Sequence, residues 1–441
     1  MAKLRFILAL LVTVSLFGVQ SFAPASGAAG EAAWSQVDVP ADGDDGGWVL
    51  AGSSDVTHLA LAADGTIYAA VDGLSHTLYW SGDGGYSWQH IGDVSDTIVD
   101  IAVADNGAIY YATTNNVYKS TDGGDSFQPM ATEAALNISS NVEITSIDVG
   151  RGGGVNFIAV GTRDTDSGGY GGVYILEEEA FASWFDTDIG DYDVYAVAFS
   201  PDFDDDQQIV AVVTDETDSF VVTKIGNIGW GQVVGKARLD KDNSGASVAV
   251  GVSADIAFPD YYSSQPGSGS YVQFVTVNTG GNGGDVYAVY GEAAPDDSEA
   301  VDLNVASGYG LDNIDIASLA ACGDWADTVL LAGAAGEGQI YYSLDGGDDW
   351  AEGLKKPTGQ SDTQVLMSAD FAATGIAYAA TSGYESAVSV TTDGGMTWNQ
   401  IGLVDTGMDA IIDLAVPPGR RAGRCPVYTH LGKWFQPVAQ P

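Results

Sequence analysis

Residues 81–88 read Ser-Gly-Asp-Gly-Gly-Tyr-Ser-Trp, and this Ser-x-Asp-x-Gly-x-x-Trp pattern returns at residues 343–350, at residues 120–127 with Phe in place of Trp, and at residues 391–398 with Thr in place of Ser. Each copy lies between two short runs of alternating apolar residues, so each is predicted to be the turn of a β-hairpin. An Asp side chain can accept hydrogen bonds from backbone N–H groups of its own turn, and the paired glycines supply the positive φ angles of a tight turn. The closing aromatic residue is expected to point inward against a neighbouring sheet.

These turns belong to a looser repeat that covers roughly residues 50–416. Each repeat opens with a short apolar strand, predicted near residues 57–61, 98–103, 144–149, 194–199, 255–258, 314–319, 365–371 and 411–416. Repeats of this length favour a propeller or a solenoid over a series of independent domains. Three middle repeats lack a clean copy of the turn and carry longer loops, where binding sites are most often found.

The turn pattern resembles the Asp box, or BNR repeat, of β-propellers in the sialidase, sortilin, xyloglucanase and photosystem II assembly-factor families. The resemblance implies an all-β fold, a single β-propeller of seven or eight four-stranded antiparallel blades with Asp-box hairpins. It is nearest to bacterial proteins of the cell envelope. In such propellers the box lies on the outer hairpin of each blade, away from the sites that they use. It therefore implies a structural role for Ser81, Asp83, Gly85, Trp88, Ser120, Asp122, Gly124, Phe127, Ser343, Asp345, Gly347, Trp350, Thr391, Asp393, Gly395 and Trp398.

The chain is predicted to have three parts. Residues 1–28 read as a secretory signal, with Lys3 and Arg5 before an apolar run that is short for a membrane span. Residues 29–416 form the propeller, in which a strand at residues 33–40 is expected to complete the last blade. Residues 417–441 are an atypical basic tail. Either the tail belongs to an incomplete eighth blade, or the native chain is cut or altered near Gly419.

The charge of the chain is strongly one-sided. Residues 29–413 hold nine basic residues and all 60 acidic ones, which gives a formal charge of −51. Such a surface repels nucleic-acid phosphates and anionic lipid, and it attracts divalent cations. We therefore expect no nucleic-acid partner, and no integral membrane segment once the signal is cleaved.

The sequence shows no catalytic constellation. A sialidase needs three arginines around a carboxylate, whereas this span holds only Arg151, Arg163 and Arg238, outside the motif that marks the first of them. A glycosidase needs two carboxylates beside its substrate, but with 60 acids in the chain such pairs carry no information. We therefore expect that the protein is not an enzyme.

Calcium is the one cofactor that the sequence suggests. Residues 240–245 read Asp-Lys-Asp-Asn-Ser-Gly, so Asp240, Asp242 and Ser244 present oxygen ligands at alternate positions before a glycine. The bidentate acid expected at the twelfth position is missing, since Gly251 stands there. The alternative interpretation is an ordinary acidic turn.

Three functions follow as hypotheses. The first is an exported, non-catalytic protein of the cell surface, with a structural or interaction role that includes a surface-layer component, and with partners that are copies of itself or other envelope proteins. The second is a soluble protein- or ligand-binding module that resembles the photosystem II assembly factors. The third is a polysaccharide-binding protein or glycoside hydrolase. All three place the protein outside the cytoplasm.

Overall fold

The structure is a computed structural model that describes residues 41–42, 49–50, 52–92, 97–131, 140–179, 183–233, 236–264, 271–290, 298–309, 313–324, 327–405, 411–415 and 428–431. Regular structure in these residues is nearly all β-strand. The exceptions are two short helices, α1 (Phe203–Asp206) and α2 (Phe371–Thr374), and a 3₁₀ turn at Ser307–Tyr309. The predicted signal, the strand at residues 33–40 and most of the basic tail lie outside the described residues.

The strands form seven consecutive antiparallel sheets, which we call blades 1 to 7. A parallel pair, β1 (Ala41–Asp42) and β2 (Val49–Leu50), precedes them. Blade 1 consists of β3 (Asp55–Leu61), β4 (Ile67–Asp72), β5 (Leu78–Ser81) and β6 (Gln89–His90); blade 2 of β7 (Asp100–Val103), β8 (Ile109–Ala112), β9 (Val117–Ser120) and β10 (Gln128–Ala131); and blade 3 of β11 (Val142–Gly152), β12 (Val155–Asp164), β13 (Gly172–Glu177) and β14 (Phe185–Asp186). Blade 4 consists of β15 (Asp193–Phe199), β16 (Gln208–Thr214), β17 (Ser219–Ile225) and β18 (Ala237–Lys241), with β19 (Ala246–Ser247) beside β18, and blade 5 of β20 (Ser253–Ala257), β21 (Val272–Asn278), β22 (Val286–Tyr290) and β23 (Ser298–Asp302). Blade 6 consists of β24 (Ile316–Cys322), β25 (Val329–Ala334), β26 (Ile340–Ser343) and β27 (Ala351–Glu352), and blade 7 of β28 (Thr363–Met367), β29 (Ala377–Thr381), β30 (Val388–Thr391) and β31 (Asn399–Gly402).

The blades close into a ring. The first strand of each blade contacts the first strand of the next, and β28 of blade 7 contacts β3 of blade 1. Each of these junctions holds its own apolar cluster, because the second strands are apolar on both faces and are covered on both sides by neighbouring blades. The predicted all-β propeller is confirmed, and of the two predicted blade counts the described ring has seven.

Within the described residues, blade 7 takes all four strands from its own segment, and its outer strand is β31. The strand predicted at residues 33–40 to complete the last blade lies outside the described residues. The eighth first strand, predicted at 411–416, is β32 (Ile411–Ala415), which pairs with β33 (Tyr428–Leu431) in a separate two-stranded sheet. The seam between blades 7 and 1 is therefore held by packing and by side-chain hydrogen bonds.

Blades 4 and 5 are joined in a way that the sequence did not predict. Their outer strands β18 and β23 pair in parallel, with Leu239 opposite Ala300. The two blades thus form one continuous sheet. Their shared apolar cluster includes Leu239 and Ala300, both almost fully buried.

Candidate functional site

The four predicted turns share one hydrogen-bond network. In the first, Ser81 Oγ donates to Asp83 Oδ1 (2.9 Å) and accepts from Gly85 N (2.8 Å). Asp83 Oδ1 accepts from Ser87 N (2.9 Å), and Asp83 Oδ2 accepts from Ser87 Oγ (2.6 Å). The turns at Asp122 and Asp393 repeat all of these bonds. The turn at Asp345 lacks the last one, because Asp349 stands where the others have a hydroxyl.

These bonds set the charge of the turns. Burial alone would raise the pKa of Asp83 and Asp393, but hydrogen bonds from Ser87 and Thr397 outweigh it and lower the pKa of both carboxyls. At Asp122 the hydrogen bonds from Ser126 and Ser120 lower the pKa to about 2. The carboxylates of Asp83, Asp122 and Asp393 are thus ionised and hydrogen-bonded within their own turns. The four turns are on four different blades and do not converge on one site.

Each turn also packs against the blade before it. Gly124 faces Ile91 of blade 1, Gly347 faces Leu303 of blade 5, and Gly395 faces Leu331 of blade 6. In blade 1 the fully buried Trp88 donates from Nε1 to Gly85 O (2.8 Å) and lies against Gly402 of blade 7. The closing aromatics at Trp88 and Trp398 are buried, whereas Phe127 and Trp350 are half-buried.

The predicted calcium loop is a tight turn between β18 and β19. The carboxylate of the buried Asp240 accepts from Gly245 N, and Ser244 Oγ donates to Lys241 O (2.7 Å). Asp242 has a positive φ of 54° and donates its N–H to Asp302 Oδ2 (2.8 Å). Asp240 and Ser244 are therefore occupied within the turn, and only Asp242 is tied to another part of the fold. Calcium binding by this loop stays a prediction.

A cavity of about 610 Å³ opens between blades 3 and 4, and we call it the blade 3–4 cavity. This volume is typical of small-ligand sites. Its apolar wall includes Phe157, Ile175, Phe185, Phe203 and Ile209, and its polar lining includes Glu177, Asp204, Gln207, Lys224 and Asn227. Phe185 is 57% exposed at its mouth.

Lys224 is the distinctive group of this cavity. Its side chain is buried, and its Nζ donates to the carbonyl oxygens of Gly226 and Ile228. Desolvation by burial lowers the pKa of this ammonium group. Two carbonyls use two of its three N–H bonds, so one remains for an acceptor in the cavity.

The cavity lies where two blades depart from the repeat. One wall comes from the β11–β12 turn and from α1, and the other from the loops that follow β13 and β17. In blades 3 and 4, those last two loops stand where blades 1, 2, 6 and 7 have the hydrogen-bonded turn. The sequence therefore indicated the region through its irregular repeats, but it did not identify these residues. The one sequence signal for Lys224 is its rarity, as one of nine basic residues in the acidic span.

A second hollow of about 570 Å³ adjoins the first across Phe203 and Asp204. It is lined by Asp105, Asp148, Arg151 and Ser200 among others. Gly153 N donates to Asp204 Oδ1, which fixes α1 against the tip of the β11–β12 hairpin. Helix α1 is thus the wall between the two hollows.

Three carboxylates on first strands link neighbouring blades. Asp100 Oδ2 accepts from Ile147 N (2.9 Å), Asp148 Oδ2 from Phe199 N (2.7 Å) and Asp255 Oδ2 from Leu319 N (2.8 Å). Desolvation by the surrounding strands raises the pKa of Asp100 to about 7, and that of Asp148 and Asp255 to about 6. Repulsion among the three carboxylates adds to the rise at Asp100. They form an acidic, half-buried group around the axis of the ring.

No protein-family model matches the chain, and no curated protein matches it. Among solved structures, a GH74 enzyme of Niastella koreensis is 14% identical over 79% of this chain, with a TM-score of 0.32, and this chain spans 64% of its length. A YCF48 protein bound to D1 peptide is 16% identical over 78% of this chain and 94% of its own, with a TM-score of 0.47. The Dos1 propeller is 11% identical over 81% and 96%, with a TM-score of 0.49. These likenesses concern the fold alone, so the Asp-box family and the bacterial envelope type stay predictions.

In the described part of the chain, no helix combines the length and the apolar character needed to cross a bilayer.

Proposed function

We propose that this chain is an exported, non-catalytic propeller that binds a segment of a protein partner in the blade 3–4 cavity. The proposal rests on the lining of that cavity. The exposed aromatic ring of Phe185 lies at its mouth, and the buried ammonium group of Lys224 has one N–H bond that the carbonyls of Gly226 and Ile228 do not use. The cavity interrupts the regular repeat at two adjacent blades, as expected of a site added to a scaffold.

The lining matches an extended peptide segment. Phe157, Phe185 and Phe203 offer apolar surface to a large side chain. Lys224 can donate to a backbone carbonyl of the segment, since its own acceptors are carbonyls too. Glu177 and Asp204 favour Lys or Arg beside the apolar side chain, and the net charge of −45 attracts such a segment at long range.

The location of the protein remains part of the proposal. Export rests on the signal-like residues 1–28, and the structural role at the cell surface, including a surface layer, stays a prediction from charge and composition. A glycan is the competing ligand, because sugars also stack on exposed aromatic rings such as Phe185. Calcium stays a proposed cofactor.

The test is a selection of random phage-displayed peptides on the immobilised protein, followed by affinity measurements with the enriched peptides. We expect enriched sequences with an aromatic or large aliphatic residue flanked by Lys or Arg. Phe185→Ala should weaken their binding by about tenfold, the usual scale for truncating an aromatic anchor. Tyr384→Ala is the matched control, since Tyr384 is an exposed aromatic on blade 7 and should not matter.

Two results would contradict the proposal. In one, no peptide is enriched while an oligosaccharide array shows binding that Phe185→Ala removes, which replaces the protein partner by a glycan. In the other, peptides bind equally well to wild type and Phe185→Ala, which places the site elsewhere.

A further inference from the structure

Three buried oxygen atoms lack hydrogen-bond partners at the place where blades 4, 5 and 6 meet. They are Asp285 Oδ2, the hydroxyl oxygen of Tyr287 and Asn313 Oδ1. Asp285 and Tyr287 are fully buried side chains. An unpaired buried polar atom destabilises the fold, so three of them in neighbouring residues point to a ligand.

The three atoms belong to one connected group. Asp285 and Tyr287 are two residues apart at the start of β22, so their side chains lie on the same face. Tyr287 is directly opposite Asp302 of β23. The chain at Asn313 lies beside Asp285, because Ile314 N donates to Gly284 O (3.2 Å).

Asp242 of blade 4 joins the group from the other side. Its N–H donates to Asp302 Oδ2 (2.8 Å), and its Oδ1 accepts from Asn313 Nδ2 (3.1 Å). Asp285 Oδ1 accepts from Val286 N (2.7 Å) and Val305 N (3.0 Å), which fixes the carboxylate and leaves Oδ2 open. Hydrogen bonds thus connect Asp242 of blade 4 with Asp302 of blade 5 and with Asn313, which precedes blade 6.

The group brings three carboxylates together, those of Asp242, Asp285 and Asp302. Three ion pairs of the described residues join Lys119 to Glu178, Arg163 to Glu143 and Arg238 to Asp218, and these three pairs do not include the group. Burial first, then repulsion from Asp302, raises the pKa of Asp285. Burial likewise raises the pKa of Asp302 to about 6.

The donor atoms define the class of ligand. Among the described residues, no three His, Cys, Asp or Glu side chains form a group that could hold a metal ion, so a cation here needs the Asn313 amide oxygen beside the carboxylates. Hard cations accept a mixed set of carboxylate, amide and water oxygens. That is the set found here, with an amide oxygen at Asn313 and carboxylate oxygens at Asp242 and Asp285.

We propose that a hard divalent cation of the calcium type binds at this three-blade junction, held by Asp285 Oδ2, Asn313 Oδ1 and the Asp242 carboxylate. Asp302 positions Asp242 by accepting its N–H. The proposed ligand set differs from the loop predicted from sequence, in which Asp240 and Ser244 make hydrogen bonds inside the turn. The cation cross-links blades 4, 5 and 6.

The test is isothermal titration calorimetry of chelator-stripped protein with CaCl₂ and with MgCl₂ at constant ionic strength. Wild type should show one saturable calcium site. Asp242→Asn should weaken it at least about tenfold. This variant suits the test because Asp242 is exposed and has a left-handed backbone that Asn adopts readily. Asn313→Ala should weaken calcium binding in the same way.

Two control variants make the test decisive. Asp348→Asn removes one exposed carboxylate from blade 6 and should leave the affinity unchanged, which excludes a general charge effect. Ser244→Ala should also leave it unchanged, whereas it should weaken binding if the sequence-predicted loop were the site. Absence of a saturable site, equal affinity in wild type and Asp242→Asn, or loss of affinity in either control would overturn the proposal.

Discussion

At the scale of single residues, the carboxylates of this protein bind backbone N–H groups far more often than they bind cations. Asp83 does so within its turn, and Asp100 does so between blades. Asp315 accepts from the N–H groups of Thr279 (2.9 Å) and Gly284 (2.8 Å) in the neighbouring blade. Part of the excess of acidic residues, 60 against 15 basic ones, therefore has a structural role. Each of these carboxylates accepts hydrogen bonds from backbone donors that would otherwise lack a partner.

The turn at Asp345 offers a test of that role. Asp349→Ser should add the hydroxyl bond to Asp345 Oδ2 that the turns at Asp83, Asp122 and Asp393 have, and it removes a like charge beside Asp345. We expect the free energy of unfolding to rise by about 1 kcal/mol, the usual contribution of one hydrogen bond. Urea unfolding measures it. The control Asp348→Ser removes the same charge one position earlier, and an equal gain there would show that charge alone is responsible.

At the scale of elements, the described residues hold the seam between blades 7 and 1 by side-chain hydrogen bonds and close packing. Gly383 N donates to Asp55 Oδ1 (2.6 Å), and Ser386 Oγ donates to Ser54 O (3.3 Å). Trp88 fills the junction with no exposed surface. The seam thus depends on close packing of a large ring against Gly402, where a Cβ would lie 2.5 Å from Trp88 Nε1.

Gly402→Ala should therefore destabilise the ring at its closure. The buried Trp88 cannot move aside without losing its hydrogen bond to Gly85, so we expect a loss of about 1–3 kcal/mol, as for other overpacked cores. Thermal unfolding by calorimetry measures the effect. Gly308→Ala is the control, because a Cβ at Gly308 meets no atom within 4 Å. Equal melting temperatures for the two variants would mean that the seam tolerates rearrangement.

The elements also show what a sequence can and cannot reveal. The strands followed from local alternation and the turns from a repeated pattern, so both were predictable from short segments. The blade count stayed open, because the last repeat loses its pattern after Asp413. The pairing of β18 with β23 left no local signal, since it depends on how two loops bring distant strands together. The cavity residues were missed for the same reason: Phe185 and Lys224 meet only through the packing of two blades.

At the scale of the whole molecule, acidic side chains lie around the axis of the ring as well as on its outer surface. Asp100, Asp148 and Asp255 surround the axis, and His58 on β3 cannot balance them because burial lowers its pKa to about 4. A carboxyl whose pKa is raised on folding binds more protons in the folded chain than in the unfolded one. Its contribution to stability is present at low pH and is lost as the pH rises through its folded pKa.

The pH dependence of stability tests this statement. For Asp100 the folded pKa is about 7 against an ordinary 3.8, so its contribution should fall between roughly pH 4 and pH 7. The difference in unfolding free energy between pH 5 and pH 8 should be smaller in Asp100→Asn than in wild type, by on the order of 1 kcal/mol after screening by solvent. Urea titrations at four pH values measure it. Identical pH profiles would show that Asp100 titrates normally.

Because β18 pairs with β23, the junction of blades 4 and 5 is held by strand pairing as well as by the covalent chain. Covalent connections cross every blade junction except the seam, and within the described residues a ladder of paired strands joins blades at the junction of blades 4 and 5. A circular permutant that begins at blade 5, with the present ends joined, would move the chain break to that junction. Every junction of such a ring would then be held either by the chain or by a sheet, whereas in the present order the described residues supply neither at the seam.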